Sequence, residues 1–481
     1  YDEGYYFLSN TYEIMPLDGN LIDVYFDINE NSQTKVRKII ISGNAKTNDN
    51  VIRRELKIFP GDIFSMKKLR ESYGEVVRLN YFNSIDPQIS TVNDSSDKID
   101  INFVVSEKET GRANFSMGYN EQYGLTGGGG FEFINFRGKG QVLSIDYTRG
   151  IQQQGGYSSS ITSSSNNSDY ESFSFAFREP SIKNTPISIG TSLSHSEQGK
   201  NNNTYLKYDI VSDRISLSLG RKFNLFDYLL RAGWTMSFRE TKYYGEEDIL
   251  LENFSENIIK NSGNQSYASR IGISFTQRFS RDTRDFPDFP TKGTNISWST
   301  TFSGDILGGN ENYHKNVLDF NWFTSLKQNP NFVHYQDFRL GITKEMGENE
   351  YLPYSARFRM GGDGMPNGEM LRGYKNNSIY GYENSSGGKI MFKYSTELRY
   401  LLSKAPTAYV FVFGEVGNVW PDFNDFDLFN LKRSLGFGFR IYMPMLGILG
   451  YDYGYGFDSI DENTDEPIGW QGHIIFGMPL N

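Results

Sequence analysis

Beyond about residue 110 the chain alternates apolar and polar residues with a period of two. Phe173, Phe175 and Phe177 interleave with Ser172, Ser174, Ala176 and Arg178. Ile215, Leu217 and Leu219 interleave with Ser216, Ser218 and Gly220, and Ile271, Ile273, Phe275 and Phe279 with Gly272, Ser274, Thr276 and Arg278. Leu435, Phe437, Phe439 and Ile441 do the same against Ser434, Gly436, Gly438 and Arg440. Successive side chains of a strand point to opposite faces, so one face is greasy and the other small or charged. A soluble sandwich also alternates, but its polar face is outside. Small and charged residues on one face suit a water-filled lumen, with the greasy face toward lipid.

The pattern predicts strands near 111–119, 125–136, 141–149, 170–179, 186–196, 205–220, 226–239, 267–279, 294–303, 314–327, 333–346, 388–401, 408–419, 432–441, 448–457 and 471–479. That is about sixteen, an even number as single-chain bacterial barrels have, and no helix is predicted among them. The glycine run 127–130 falls inside a strand, where it relieves crowding or bends the sheet. Joins alternate between short (137–140, 180–186, 328–332, 403–407) and long (150–169, 240–266, 347–387). Short turns at one rim and long loops at the other mark a barrel closed in an outer membrane, where closure removes the unpaired strand edges.

The first 110 residues follow another rule. A strand over 36–42 ends in a Gly43-Asn44 turn. Thr47 is the expected N-cap of a helix running through Leu56, because its hydroxyl can accept a free backbone N–H. Ser65 caps a second helix whose apolar face is Leu69, Tyr73, Val76 and Val77. Strands follow at 84–90 and 98–105. In the latter Ile99, Ile101, Phe103 and Val105 face one way, Asp100 and Asn102 the other. The order β-α-α-β-β describes a small α+β domain. The stretch from Ile22 to Glu30 resembles that from Ile99 to Glu107, both amphipathic and ending at Glu. Residues 1–32 are therefore expected to be the last two strands of a truncated preceding copy, 33–109 a complete copy, and 110–481 the barrel.

Composition narrows the function. Among 481 residues 48 are basic and 58 acidic, a net charge of −10 that leaves no basic surface for nucleic acid. No run of 18 apolar residues exists to form a transmembrane helix. Yet aromatics reach 15%, with 37 Phe, 32 Tyr and 49 Gly, which is unlike disorder and fits a sheet between lipid and water. Without Cys there is no disulfide, thiolate catalysis or Cys-ligated metal. His195, His314, His334 and His473 are scattered, and neither a P-loop nor a G-x-S-x-G motif occurs, so neither catalysis nor a cofactor is expected. Acidic residues at Asp305 and over 422–427 read as rim charge rather than a Ca²⁺ site. The chain opens at Tyr1 without a basic n-region or apolar h-region, so a signal peptide, if there was one, would have been removed.

Three motifs, in order, carry a resemblance. The first is Gly43-Asn44, Thr47, Ile52-Arg53-Arg54-Glu55-Leu56 and Gly61-Asp62. The second is Arg281-Asp282-Thr283-Arg284-Asp285 with Phe289-Pro290-Thr291-Lys292-Gly293. The third, in the longest loop after Met360-Gly361-Gly362-Asp363-Gly364, is Leu371-Arg372-Gly373-Tyr374. Together they make the chain resemble, over essentially its whole length, the BamA family of outer-membrane assembly proteins, in which periplasmic POTRA domains precede a 16-stranded barrel.

The resemblance implies that the loop at 347–387 folds into the lumen, where Arg372 meets carboxylates on the wall. Gly373 permits close backbone approach, and Arg can donate bidentately to a carboxylate. Glu397 shares parity with Lys393, Ser395 and Arg399 and should face inward. Glu415, in a stretch similar to the family's acidic-x-Gly-x-Val-Trp pattern, cannot be placed by periodicity, because 409–413 is apolar on both faces. Without the resemblance Arg372 would read as a solvated loop charge. The cluster Asp282, Arg284 and Asp285, with Pro290 and Gly293, reads either as a solvated hairpin or as a wall contact for the inserted loop.

The resemblance also implies a function: insertion of outer-membrane proteins by opening between the first and last strands. Phe115 and Met117 lie on one side of that seam, Ile474 and Phe476 on the other. A client strand would add to the exposed edge. The implied partners are outer-membrane lipids, unfolded β-barrel clients and accessory periplasmic or lipoprotein subunits. The alternatives are a translocator for one dedicated partner and, less favoured, a passive porin. Pro479 near the end of the last strand cannot donate to a ladder, which would shorten the seam.

Overall fold

The computed structural model describes every residue except 1, 18, 20, 93–94, 121–123, 152–169, 200–207, 224–228, 255, 263–264, 286–288, 348–351, 363–367, 381–386, 405, 444–446, 461–465 and 478–481. The chain forms two compact units, one built on Tyr1–Gly111 with Phe133–Val142 and Lys183–Thr185, the other on the remainder.

In the first unit, β1 (Ser9–Leu17) and β2 (Leu21–Asn29) form a two-stranded antiparallel hairpin exposed along β2. Next come β3 (Lys35–Ser42), α1 (Asp49–Arg53), α2 (Met66–Arg78), β4 (Phe82–Val92) and β5 (Ser95–Glu107). The sheet order is β3-β5-β4, with β3 and β5 parallel and β4 antiparallel to β5. Ile99, Ile101 and Phe103 on the central strand have no exposure and pack with Ile52, Leu69 and Val76 of the helices and with Leu56 just past α1. The Ser65 hydroxyl accepts from Lys68 N at 3.3 Å, as the sequence predicts for the start of α2.

The start of α1 differs from expectation. Its N-cap is Asn48, with no side-chain cap bond, and the helix has a single turn. Thr47 is buried instead, and the carboxylate of Glu107, at the end of β5, accepts from Lys46 N at 2.8 Å and Thr47 N at 2.6 Å. The carboxylate, 60 residues away, thus holds the two residues that lead into the helix. Burial works against the Glu107 charge, yet these bonds hold its carboxyl below the usual range.

The second unit is the barrel. Its strands are β6 (Gly111–Asn120), β7 (Gly124–Phe136), β8 (Gln141–Ile151), β9 (Tyr170–Glu179), β10 (Ile187–Gln198), β11 (Asp209–Phe223), β12 (Leu230–Gly245), β13 (Ile259–Ser262), β14 (Gln265–Asp282), β15 (Gly293–Ser303), β16 (Tyr313–Leu326), β17 (Asn329–Glu345), β18 (Ile390–Lys404), β19 (Thr407–Trp420), β20 (Lys432–Met443), β21 (Gly447–Gly456) and β22 (Gly469–Gly477). Each long strand pairs with its neighbours in sequence, and β22 lies beside β6, so the sheet closes. Among the described residues sixteen long strands form the wall, and four-residue β13 adds to β14.

The alternation has the expected sense. Leu217, Trp298, Val412 and Phe437 point outward and are half exposed or more, while Asp452, Glu415 and Ser434 on the opposite parity are buried inside. Two elements were not foreseen. Strand β12 runs six residues past its predicted end, because Arg239, Thr241 and Tyr243 keep the inward parity while Glu240 and Lys242 take the outward one and pair at 3.6 Å. Beyond it α3 (Glu247–Asn253) seats Leu250 with Tyr243, Phe254 and Ala268. Seven residues are too few to show helical periodicity, although the acidic Glu247 and Asp248 suit a helix start.

Candidate functional site

The site is built on the loop of residues 346–389, between β17 and β18. Its two arms pair with each other as a small sheet. Phe358 and Gly388 exchange two backbone bonds of 2.9 Å, as do Met360 and Ile379. Phe358, Met360, Leu371, Tyr374 and Ile379 form an apolar knot closed by Met391 of β18 and Val419 of β19. The wall makes room for it. A Cβ at Gly341 would meet Phe358 Cζ at 2.5 Å, and one at Gly417 would meet Met360 Sδ at 2.7 Å.

At the tip, Gly373 has φ +86° and lies against β21 so closely that an added Cβ would be 3.0 Å from Gly456 N. Gly456 answers, since its own Cβ would be 2.4 Å from Gly373 O. A side chain on either residue would lift the loop off the wall. That approach delivers Arg372, 2% exposed, into a cluster of carboxylates. One terminal nitrogen lies 2.7 Å from Glu397 Oε1 and 2.6 Å from Glu415 Oε1, and the other 3.8 Å from Asp452 Oδ2. The backbone N–H of Arg372 also donates to Glu415 Oε2 at 2.7 Å. The guanidinium lies 3.8 Å from the centre of the Phe413 ring, a cation–π contact strengthened by burial.

The carboxylates are shared. Glu397 accepts from Arg399 Nε at 2.7 Å, and Arg399 in turn stacks 4.0 Å over Tyr335. Asp452 accepts two bonds from Arg440, at 2.5 and 2.7 Å. Glu415 also accepts from Ser395 Oγ at 3.0 Å. Three guanidinium groups thus face three carboxylates, a balance that burial demands. Tyr374 completes the tip by donating to Arg433 O at 2.8 Å. Beside it Arg339 bridges Asp319 (3.1 Å) and Glu369 of the loop (2.8 Å), and Lys393 reaches Asp337 at 3.2 Å. Where the loop rejoins β18, Lys389 contacts Glu345 and Asp422, and it holds the Asp422 carboxyl below its ordinary value.

The structure therefore brings together Arg372, Gly373, Tyr374, Glu397 and Glu415. Glu397 faces inward with Lys393, Ser395 and Arg399, as parity requires. Glu415 also faces inward, and the ambiguity at 409–413 has a cause: Phe411 and Phe413 are lumen residues because guanidinium groups stack on them. Asp452 went unseen. Its signal was present, as the lone charge on the glycine parity of Gly450, Asp452, Gly454 and Gly456.

The second motif behaves differently. Asp282 pairs with Arg284 at 2.7 Å, and Asp285 accepts from Thr291 N at 2.8 Å, both across the turn. Gly293 (φ +109°) closes the turn, where a Cβ would be 2.4 Å from Thr283 O. An apolar residue of the turn reaches the wall: Phe289, next to buried Pro290, packs with Phe323, Val333 and Leu401. At the seam, Ile474 of β22 faces outward and is exposed. The backbones of Phe115, Met117 and Phe476 lie in β6 and β22, but their side chains fall outside the described part, as does Pro479 altogether. Among the described residues no group of three or more His, Asp or Glu is arranged to hold a metal ion.

Comparison with known proteins gives this geometry a context. Residues 135–476 match the model of the Omp85 superfamily domain, and residues 34–108 that of the surface antigen variable number repeat, the POTRA domain. Outer membrane protein assembly factor BamA of Nitratidesulfovibrio vulgaris is 26% identical over 473 residues, covering 96% of this chain and 54% of the relative. The protein of that name from Neisseria meningitidis serogroup B is 22% identical over 413 residues, 83% of this chain and 48% of its own. The chain spans about half the length of these curated relatives. In fold it is similar to BamA from Haemophilus ducreyi lacking POTRA domains 1–3, with a TM-score of 0.65, 20% identity and coverage of 99% and 90%. It is also similar to CdiB from Escherichia coli, with a TM-score of 0.59, 11% identity and coverage of 99% and 80%.

Proposed function

The chain belongs to the Omp85 superfamily, and from that premise we propose that it assembles β-barrel proteins into the outer membrane by opening between β6 and β22. It lies in the outer membrane, with its POTRA domain in the periplasm. An open seam leaves N–H and C=O groups unpaired in lipid, at several kcal/mol each. An incoming client strand relieves that cost by adding to the edge. The free energy comes from the client as it turns its apolar face to lipid, so no nucleotide is needed. The POTRA domain would receive unfolded clients and accessory subunits.

The observation that carries this reading is the buried anchoring of the loop at Arg372. A loop held by two backbone-to-backbone glycines and three carboxylates ties together β18, β19 and β21, the last of them the neighbour of seam strand β22, while the lumen stays occupied. The translocator reading requires a polypeptide to pass through that occupied space, and the porin reading requires it to be open. Both demand that the loop leave a site that costs ~3–5 kcal/mol to break on one side.

The test uses the full chain in lipid vesicles with an unfolded barrel client. Folding is followed by the client's heat-dependent gel mobility. Arg372→Ala is expected to slow client folding by about tenfold or more, since the loss of one partner leaves buried carboxylates uncompensated. Client folding at the wild-type rate in that variant would remove the loop from the mechanism. Normal folding of bulk outer-membrane proteins in depleted cells would remove the general assembly role and favour a dedicated partner.

A further inference from the structure

The inserted loop meets the lumen wall a second time, far from Arg372. Arg239 on β12 is 8% exposed. Its Nη1 donates to Ser355 Oγ of the loop's first arm at 2.6 Å, and its Nη2 to Glu311 Oε2 at 2.5 Å. Glu311 has no exposure and comes from a different loop, residues 304–312.

That shorter loop is fastened along the edge of β14, where its pairing with β15 has ended. Gly304 N donates to Ile273 O at 2.9 Å and Asn310 N to Ile271 O at 2.8 Å. Asn310 Oδ1 accepts from Ile271 N at 2.7 Å, and its carbonyl accepts from Arg270 Nη1 at 3.1 Å. Gly272 gives the carboxylate its place, since a Cβ there would be 2.3 Å from Glu311 Oε2. On the same side Leu352 and Ala356 of the long loop, each 1% exposed, pack on Tyr313. A buried ion pair, a hydrogen bond and an apolar contact therefore converge on one arm.

The positions of the two anchors matter. In the order β12, β14, β15, β16, β17, β18, β19, β20, β21, the strand that carries Arg239 and the strand under Gly373 are eight steps apart in a ring of sixteen. They are on opposite walls. We infer that Arg239 is a positioning residue which, with Glu311, makes the inserted loop a crossbar fixed at both ends, and that this second anchor keeps the lumen shut to ions. Release of it leaves the loop held only on the Arg372 side of the lumen, so that its first arm can move off the β12 wall and open a water path. The inference concerns the closed lumen and stands apart from client assembly.

The test is single-channel recording of the full chain in planar bilayers. Heat-dependent gel mobility of the protein itself shows in parallel that each barrel is closed. Arg239→Ala and Glu311→Ala are each expected to raise the frequency of large openings about tenfold, within the range of ordinary couplings between sites. The double variant should do no more than either single, because both remove one contact. Exchange of the pair, Arg239→Glu with Glu311→Arg, should return openings toward the wild-type frequency, which a residue of general structural importance would not allow. Ser355→Ala removes only the loop's side of the contact and should act in the same direction. That variant decides the matter if Arg239→Ala fails to close its barrel. Unchanged openings in closed Arg239→Ala or Ser355→Ala barrels, or single effects that add in the double variant, would overturn the inference.

Discussion

The domain at 33–109 and the barrel are both made largely of amphipathic strands, and they use the alternation in opposite senses. In β5 the inward side chains are Ile99, Ile101, Phe103 and Val105, all buried around a dry core. In β20 the inward side chains are Ser434, Gly436, Gly438 and Arg440, while Leu435 and Phe437 are more than half exposed on the outside. The backbone geometry is the same in both. The surrounding medium differs: water drives apolar groups inward, whereas lipid accepts them and leaves the polar set to fill the inside. Alternation alone therefore reports a strand with two unlike faces. Which face is the interior follows from strand number, join lengths and the character of the polar set.

That contrast can be broken or sharpened by substitution. The largest effect is expected from Phe103→Ala, which removes a fully buried ring from the dry core and should cost ~3–5 kcal/mol. Hydrogen exchange of the intact chain in micelles should show protection lost over 35–107 and kept over the barrel strands. Equal loss in both would mean that the two regions unfold as one. A smaller effect is expected from Leu217→Arg on the lipid face of β11, ~2–4 kcal/mol if it lies near the bilayer centre. Refolding yield into vesicles measures it, and a harmless Arg at that position would contradict the lipid assignment of the whole outward parity. The smallest is Ser65→Ala at the start of α2, ~1 kcal/mol. Faster exchange should be confined to the first turn of that helix, and an effect that spreads into β4 would show that the cap organises more than its own helix.

Much of this was written in the order of residues. The strand pattern placed nearly every barrel strand within a few positions, and Glu397 was legible from its parity with Lys393, Ser395 and Arg399. What escaped depended on contacts across long separations. Thr47 reads as a cap because its hydroxyl is local, yet the helix starts one residue later and the Glu107 carboxylate accepts from Thr47 N. Phe411 and Phe413 hide the inward face of β19, since aromatic rings under guanidinium groups look like lipid-facing residues. Phe289 lies in a charged motif that draws the eye to its ion pairs, yet its ring packs on the wall. Arg239 and Glu311, 72 residues apart, carry no mark in their neighbourhoods that they would meet.

The concealment of the Arg372 cluster bears on when the loop can be let go. The cell surface faces a medium whose saltiness the bacterium does not choose. Dissolved ions weaken attractions only where they can come between the charges. With the guanidinium 2% exposed and the opposing charges matched in number, brine and fresh water act on this latch alike. Whatever frees it must come from within the protein or from something pulling on it, and the outside weather has no key.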